Sequence, residues 1–186
     1  MKNYFKKRTL PLGITLCFLI FQNACGLLVG NVKPVEEKAE GYRILDLSKE
    51  NPDWTRIESP KEENSNTNEN SDITYQSHKT SSIISLNTAC RKNPPSQSQD
   101  LHEFTKLLLL GISDISLKTE KNISLQETPA LETTLEGKMN DEPMKLRTIV
   151  LKKRDCIYDL MYISRPQAFL SQEGDFSRFA AELRLK

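Results

Sequence analysis

One stretch limits the fold more than any other: Cys156-Ile157-Tyr158-Asp159-Leu160-Met161-Tyr162-Ile163. Nearly every side chain in it is apolar. A strand with one wet face alternates apolar and polar residues, whereas a continuous apolar run suits a strand covered on both faces, hence a central one. The rest of the chain must then supply cover above and below it. Asp159 is the exception. A carboxyl at such a place needs hydrogen-bond partners. No second acid or base stands beside it in sequence, so a structural role is expected before a catalytic one.

Two segments carry helical spacing. Leu101, Phe104, Leu107, Leu108 and Leu110 form one apolar face after Pro94-Pro95. Ser96 and Gln99 fit a capping box, and Gly111 is placed to end the helix, which is expected over 98–110. With one apolar face it should pack on a sheet. Pro166 ends the 156–163 strand. Asp175 then fits a helix cap, with Phe176, Phe179, Ala180 and Leu183 on one face.

The remaining apolar runs read as strands. A first short element covers 42–47, and Trp54 and Ile57 are expected to dock on the core. Trp54 is the only tryptophan, and a buried anchor is the ordinary role for it, ahead of ligand stacking. Strands follow over 73–75, with a turn near His78-Lys79, and over 81–87, which delivers Cys90. Others are expected at 115–119, 123–126, 131–138 and 144–153. Met139-Asn140-Asp141-Glu142-Pro143 reads as a hairpin turn between the last two. The order is strands, helix, antiparallel strands, helix, without βαβ alternation or repeats. That is an α+β fold: a single domain over 42–186 with an antiparallel sheet and helices packed on its faces.

This order over residues 70–186 resembles the PsbP-like α/β/α sandwich, a fold of exported and scaffold proteins. The resemblance implies a binding or assembly role more than an enzymatic one.

The N-terminus concerns address. Lys2, Lys6, Lys7 and Arg8 precede an uncharged apolar run over 9–21. That run has a signal peptide's length and falls short of the roughly 20 residues a spanning helix needs. Gln22-Asn23-Ala24-Cys25 resembles a bacterial lipobox, although Gln22 stands where that family prefers leucine. The resemblance implies removal of residues 1–24 and lipid on the Cys25 thiol; the family's several acyl chains make a durable anchor. Gly26 in place of an aspartate retention signal favours, by the same analogy, the outer membrane, facing the periplasm or the cell surface. An inner-membrane or periplasmic address is the alternative. Two other readings of the segment stay open: an uncleaved anchor over 10–29, and an ordinary signal cut after Ala24 that leaves Cys25 free. Residues 25–41 look like a polar tether, and 60–72, without an apolar side chain, like a mobile loop.

Composition narrows the function. The chain has 26 Lys and Arg against 25 Asp and Glu, and losing 1–24 would leave 22 against 25. A weakly acidic chain without a basic cluster argues against nucleic acid. Lys152-Lys153-Arg154 is the densest basic stretch and reads as a solvated strand end. In an exported domain Cys90 and Cys156 are expected to form a disulfide. Two buried thiols, or redox or metal chemistry, are the alternatives, though no CxxC or histidine pair accompanies them. His78 and His102 have no partner at metal spacing and are expected at the surface. No GxSxG, P-loop or GxGxxG is present. Glu36-Glu37 and Glu62-Glu63 lie in polar segments suited to solvation, and the Asn122-Ile123-Ser124 sequon is read as chance. No catalytic residue, metal or cofactor is assigned.

The expectation is therefore a membrane-tethered envelope protein that binds another envelope protein without catalysis. The alternative is a lipid or small-molecule carrier with a pocket between the sheet and the 98–110 helix, because Leu107 to Leu110 cover more than one helix face.

Overall fold

The computed structural model describes residues 41–57, 73–90 and 100–185. The signal segment, Cys25, the 25–41 tether up to residue 40, the 60–72 loop and the Ser96–Gln99 capping box lie outside the described residues. The rest forms three layers: helix, sheet, helix.

The elements run β1 (Tyr42–Arg43), α1 (Leu47–Glu50), β2 (Trp54–Ile57), β3 (Ile73–Ser77), β4 (Ile83–Cys90), α2 (Leu101–Leu108), β5 (Ile112–Leu125), β6 (Thr128–Met139), β7 (Glu142–Lys153), β8 (Cys156–Ser164), α3 (Phe169–Ala181) and β9 (Arg184–Leu185). A 3-10 turn at Pro166–Ala168 leads into α3. Seven strands form one antiparallel sheet in the order β2-β3-β4-β8-β7-β6-β5, and β1 pairs with β9 beside it. The apolar 156–163 run is thus the fourth of seven strands, as its composition requires.

Alternation along β7 and β8 separates the two faces. Ile149, Leu151, Tyr158, Leu160 and Tyr162 face α3 and its Phe169, Phe176, Phe179 and Leu183. Tyr162 lies 4.8 Å from Phe169 and 5.8 Å from Phe176, ring centre to ring centre, and its hydroxyl donates to the Phe169 carbonyl at 2.8 Å. Arg147 fixes α3 further along: it pairs with Glu132 at 2.6 Å and Glu173 at 3.3 Å, and lies 5.5 Å over the Phe176 ring. On the other face Leu109, just past α2, packs with Leu135, Met144 and Leu146, joined by Ile112, Met161 and Ile163.

Several elements differ from the sequence expectation. The 98–110 helix is described from Leu101 and is capped by Asp100, whose carboxylate accepts from the His102 N–H at 3.0 Å. It ends at Leu108, and Gly111, with φ +90°, turns the chain into β5 instead of capping the helix. Asp175 is no cap. Pro166 starts a turn that opens α3 at Phe169, which leaves Asp175 inside the helix, where it accepts from Trp54 Nε1 at 2.8 Å and Asn51 Nδ2 at 3.1 Å. Burial alone would raise this carboxyl; the bonds from Trp54, Arg178 and Asn51 outweigh it and hold it below the ordinary range. The 115–119 and 123–126 strands are one strand, β5: the polar Glu120-Lys121-Asn122 does not interrupt a strand at the sheet's edge. The 42–47 element divides into β1 and the start of α1. Trp54 is buried, but Ile57, on the other edge strand, is 40 % exposed.

Candidate functional site

Gln126 and Glu127 (φ 50° and 63°) close β5 on β6, and Asn140 and Asp141 (φ 51° and 65°) close β6 on β7; both are two-residue turns of the twist that hairpins favour. The second brings Met139 beside Ile112, at the place where the chain leaves α2. There β5 bulges between Ser113 and Leu117. The bulge lies directly over Gly137, where a Cβ would stand 2.8 Å from the Ser113 carbonyl oxygen. A salt bridge of 2.8 Å from Lys138 to Asp114, itself at φ 49°, pins the bulge to β6. This pairing lowers the Asp114 carboxyl and raises the Lys138 ammonium.

The result is an apolar corner. Four of the seven large apolar side chains exposed among the described residues lie on the segments that meet here: Leu107, Leu110, Ile115 and Met139. Leu117, opposite Glu136 where its neighbour Lys118 is opposite the buried Leu135, projects from the other face of the sheet. The four leucines at 107–110 cannot all face the sheet from one short helical end. Leu109 turns in and is buried, while Leu107 and Leu110 are 64 % and 75 % exposed. Contiguous exposed apolar side chains at one place are a mark of interaction surfaces. Charged groups stand around the corner: Lys106 with Glu103, and Lys118 with Glu120 at 2.8 Å. Lys118 first, against burial, and then His102 hold the Glu120 carboxyl below its ordinary range.

The residues singled out in sequence fall elsewhere. Cys90 and Cys156 stand opposite each other on β4 and β8 and form a disulfide of 2.03 Å. Asp159 is 2 % exposed and accepts from Thr148 Oγ1 at 2.8 Å and Asn87 Nδ2 at 3.0 Å. Burial pushes its carboxyl above the ordinary aspartate range, although both bonds pull the other way. It is satisfied within the sheet and touches no histidine. His78 meets Thr55 Oγ1, and His102 Nδ1 lies 3.2 Å from Glu120. Lys152 and Lys153 close β7, and Lys153 Nζ donates to the Leu185 carbonyl at 3.2 Å.

A buried polar cluster escaped sequence reading. Asp53 accepts from Ser77 Oγ at 2.9 Å, Gln172 Nε2 at 2.6 Å and the Lys79 N–H at 3.0 Å. It joins the β2–β3 hairpin to α3, and Asp53 and Gln172 lie 119 positions apart in the chain, a distance across which no local pattern exists. A carboxylate with three donors is a structural joint rather than a free base.

The space between α2 and the sheet holds the packed side chains named above. A cleft of about 580 Å³ lies elsewhere, lined by Arg43, Ile44, Leu45, Asp46, Lys49, Glu50, Glu182 and Arg184. Four of its six charged side chains are paired locally, Lys49 with Asp46 at 3.4 Å and Arg184 with Glu182 at 3.3 Å. Among the described residues no helix is long and apolar enough to cross a membrane.

No family model matches the chain, and no curated protein matches it in sequence. Solved structures do match in shape. One is the solution structure of the cyanobacterial PsbP protein CyanoP from Synechocystis, with a TM-score of 0.51 and 9 % identity, covering 84 % of this chain and 96 % of that one. Another is LpqN of Mycobacterium tuberculosis, described as involved in cell envelope biogenesis, with a TM-score of 0.53 and 8 % identity, covering 81 % of this chain and 87 % of that one. At these identities the likeness is one of fold. It agrees with the PsbP-like sandwich that the element order resembles.

Proposed function

We propose that this chain is a lipid-tethered protein of the cell envelope whose sandwich domain binds another envelope protein and catalyses nothing. The observation that carries this reading is the apolar corner, together with its place in the fold. The described chain enters at β1, where Tyr42 meets Tyr158 edge-on at 6.3 Å, near the start of β8. The corner lies at the far end of the same sheet, around Met139 and the β6–β7 turn. The nine residues of β8 span about 30 Å between these ends. The corner is thus separated by about the length of that strand from the point where the described chain enters the sheet, which leaves it clear of β1 for a protein partner. The lipobox-like Cys25 supports the tether, and the fold shared with LpqN, described as involved in envelope biogenesis, supports the address. The filled space beneath α2 gives the carrier alternative no support.

Site-specific photocrosslinking in bacterial membranes tests the reading. A crosslinker in place of Leu110 or Met139 is expected to yield the same discrete adduct with an envelope protein. One in place of Asp155, exposed at the opposite end of the sheet, is expected to yield none. Equal adducts at all three positions, or none at any, would overturn it.

A further inference from the structure

The outer edge of the sheet carries an inference that does not depend on the lipid tether. β5 ends the seven-strand order, and among the described residues no strand pairs with its outer side. It is 14 residues long, whereas the opposite edge strand, β2, has four. Proteins usually shield such an edge by keeping it short or by bulges, prolines or charges. Here the bulge is confined to Ser113–Leu117, and 118–125 pairs with β6 in regular register without proline. The charges on that stretch, Lys118, Glu120 and Lys121, are of mixed sign, with Lys118 and Glu120 2.8 Å apart within one chain.

The hairpin sets which backbone groups point outward. Leu125 and Thr128 close a two-residue turn, so they form the hydrogen-bonded pair of the hairpin. Alternation then directs the N–H and C=O groups of Ile123, Lys121, Thr119 and Leu117 toward β6. Those of Ser124, Asn122, Glu120 and Lys118 face outward. An incoming antiparallel strand must bond to these last four residues.

The charges select one partner register. If a second β5 approaches about a two-fold axis at Thr119, Lys118 of each copy lies opposite Glu120 of the other, and both residues are outward-bonding. Lys121 then lies opposite Leu117, which is 45 % exposed, and can lay its aliphatic stem over it. Moving the axis to Lys118, Glu120 or Lys121 sets identical charges face to face, and directly opposed like charges destabilise strand pairs. An axis at Asn122 gains no charge pair.

We infer that β5 pairs with β5 of a second copy of this chain, antiparallel about Thr119, making one continuous sheet across two molecules. Opposed residues in such a pair lie about 4.5–5.5 Å apart, close enough for a disulfide between substituted cysteines. The full chain, extracted from membranes in mild detergent, tests this. Thr119→Cys should give a disulfide-linked species of twice the chain mass on mild oxidation, beyond any formed by the unsubstituted chain. Ser124→Cys, whose two copies would be about 33 Å apart in this register, should not. Lys118→Glu should weaken self-association by roughly tenfold or more, measured by sedimentation, and Lys118→Glu with Glu120→Lys should restore it. A monomer mass with no link at Thr119→Cys overturns the inference, as do equal links at both positions, an adduct to a different polypeptide, or a double exchange that fails to restore pairing.

Discussion

Asp159 shows how a single residue can look catalytic in a sequence and be structural in a fold. It interrupts the most apolar strand, and burial raises its carboxyl. The folded protein therefore holds this proton more tightly than the unfolded chain does. Across the window from the ordinary value of 3.8 up to the raised folded value, the native state binds more protons, so this group's contribution to stability falls as pH rises. Asp159→Asn keeps the site hydrogen-bonded: its carbonyl accepts from Asn87, its amide donates to the Thr148 hydroxyl, and that hydroxyl turns its single hydrogen to the Leu160 carbonyl, 3.0 Å away. The variant is expected to match or exceed the parent's stability at pH 7, with the gain shrinking as pH falls toward 3.8. Chemical denaturation at several pH values checks this. A loss of more than about 2 kcal/mol at pH 7 would show that the charged carboxylate is required.

At the scale of elements, the bulge of β5 over Gly137 builds the apolar corner. A Cβ there meets the Ser113 backbone, which cannot move aside as a flexible side chain would. Gly137→Ala is expected to cost about 1–3 kcal/mol and to speed amide exchange over 113–117 while sparing β8. Unchanged exchange in the bulge would contradict this account of the corner. The Cys90–Cys156 bridge joins paired strands across a separation of 66 residues. Reducing it should remove about 4 kcal/mol of stability, read as a lower urea midpoint after thiol alkylation confirms the reduction. An unchanged midpoint would mean that pairing of β4 and β8 already supplies that constraint.

These elements also mark what the sequence could tell. β8 was legible because eight nearly uniform apolar residues admit one environment. The face of α3 was legible because Phe176, Phe179, Ala180 and Leu183 repeat at helical spacing, and all four are buried. Its start was not, because Asp175 has a cap's chemistry but is used by Trp54, 121 positions away. β5 looked like two strands because a polar middle is tolerated only at an edge, and edges are set by the whole sheet's order. The corner was half legible: the leucine run at 107–110 signalled more apolar surface than one helix face can bury. The bulge that carries Ile115 past it lies over Gly137, which no local pattern connects to the leucine run.

At the scale of the whole molecule, one end of the sheet receives the chain and carries the disulfide, and the other carries the apolar corner. The outer β5 edge runs between them and offers a second surface, for another copy. A sandwich with satisfied buried acids and filled layers suits a molecule that holds position and presents surfaces. The central claim is that it does so from a lipid anchor. The most direct test is the intact mass of the protein recovered from membranes of a bacterial host. The account predicts a chain lacking residues 1–24, with acyl mass added on Cys25. A chain still beginning at Met1, or one cut before Cys25 with a free thiol, would contradict it.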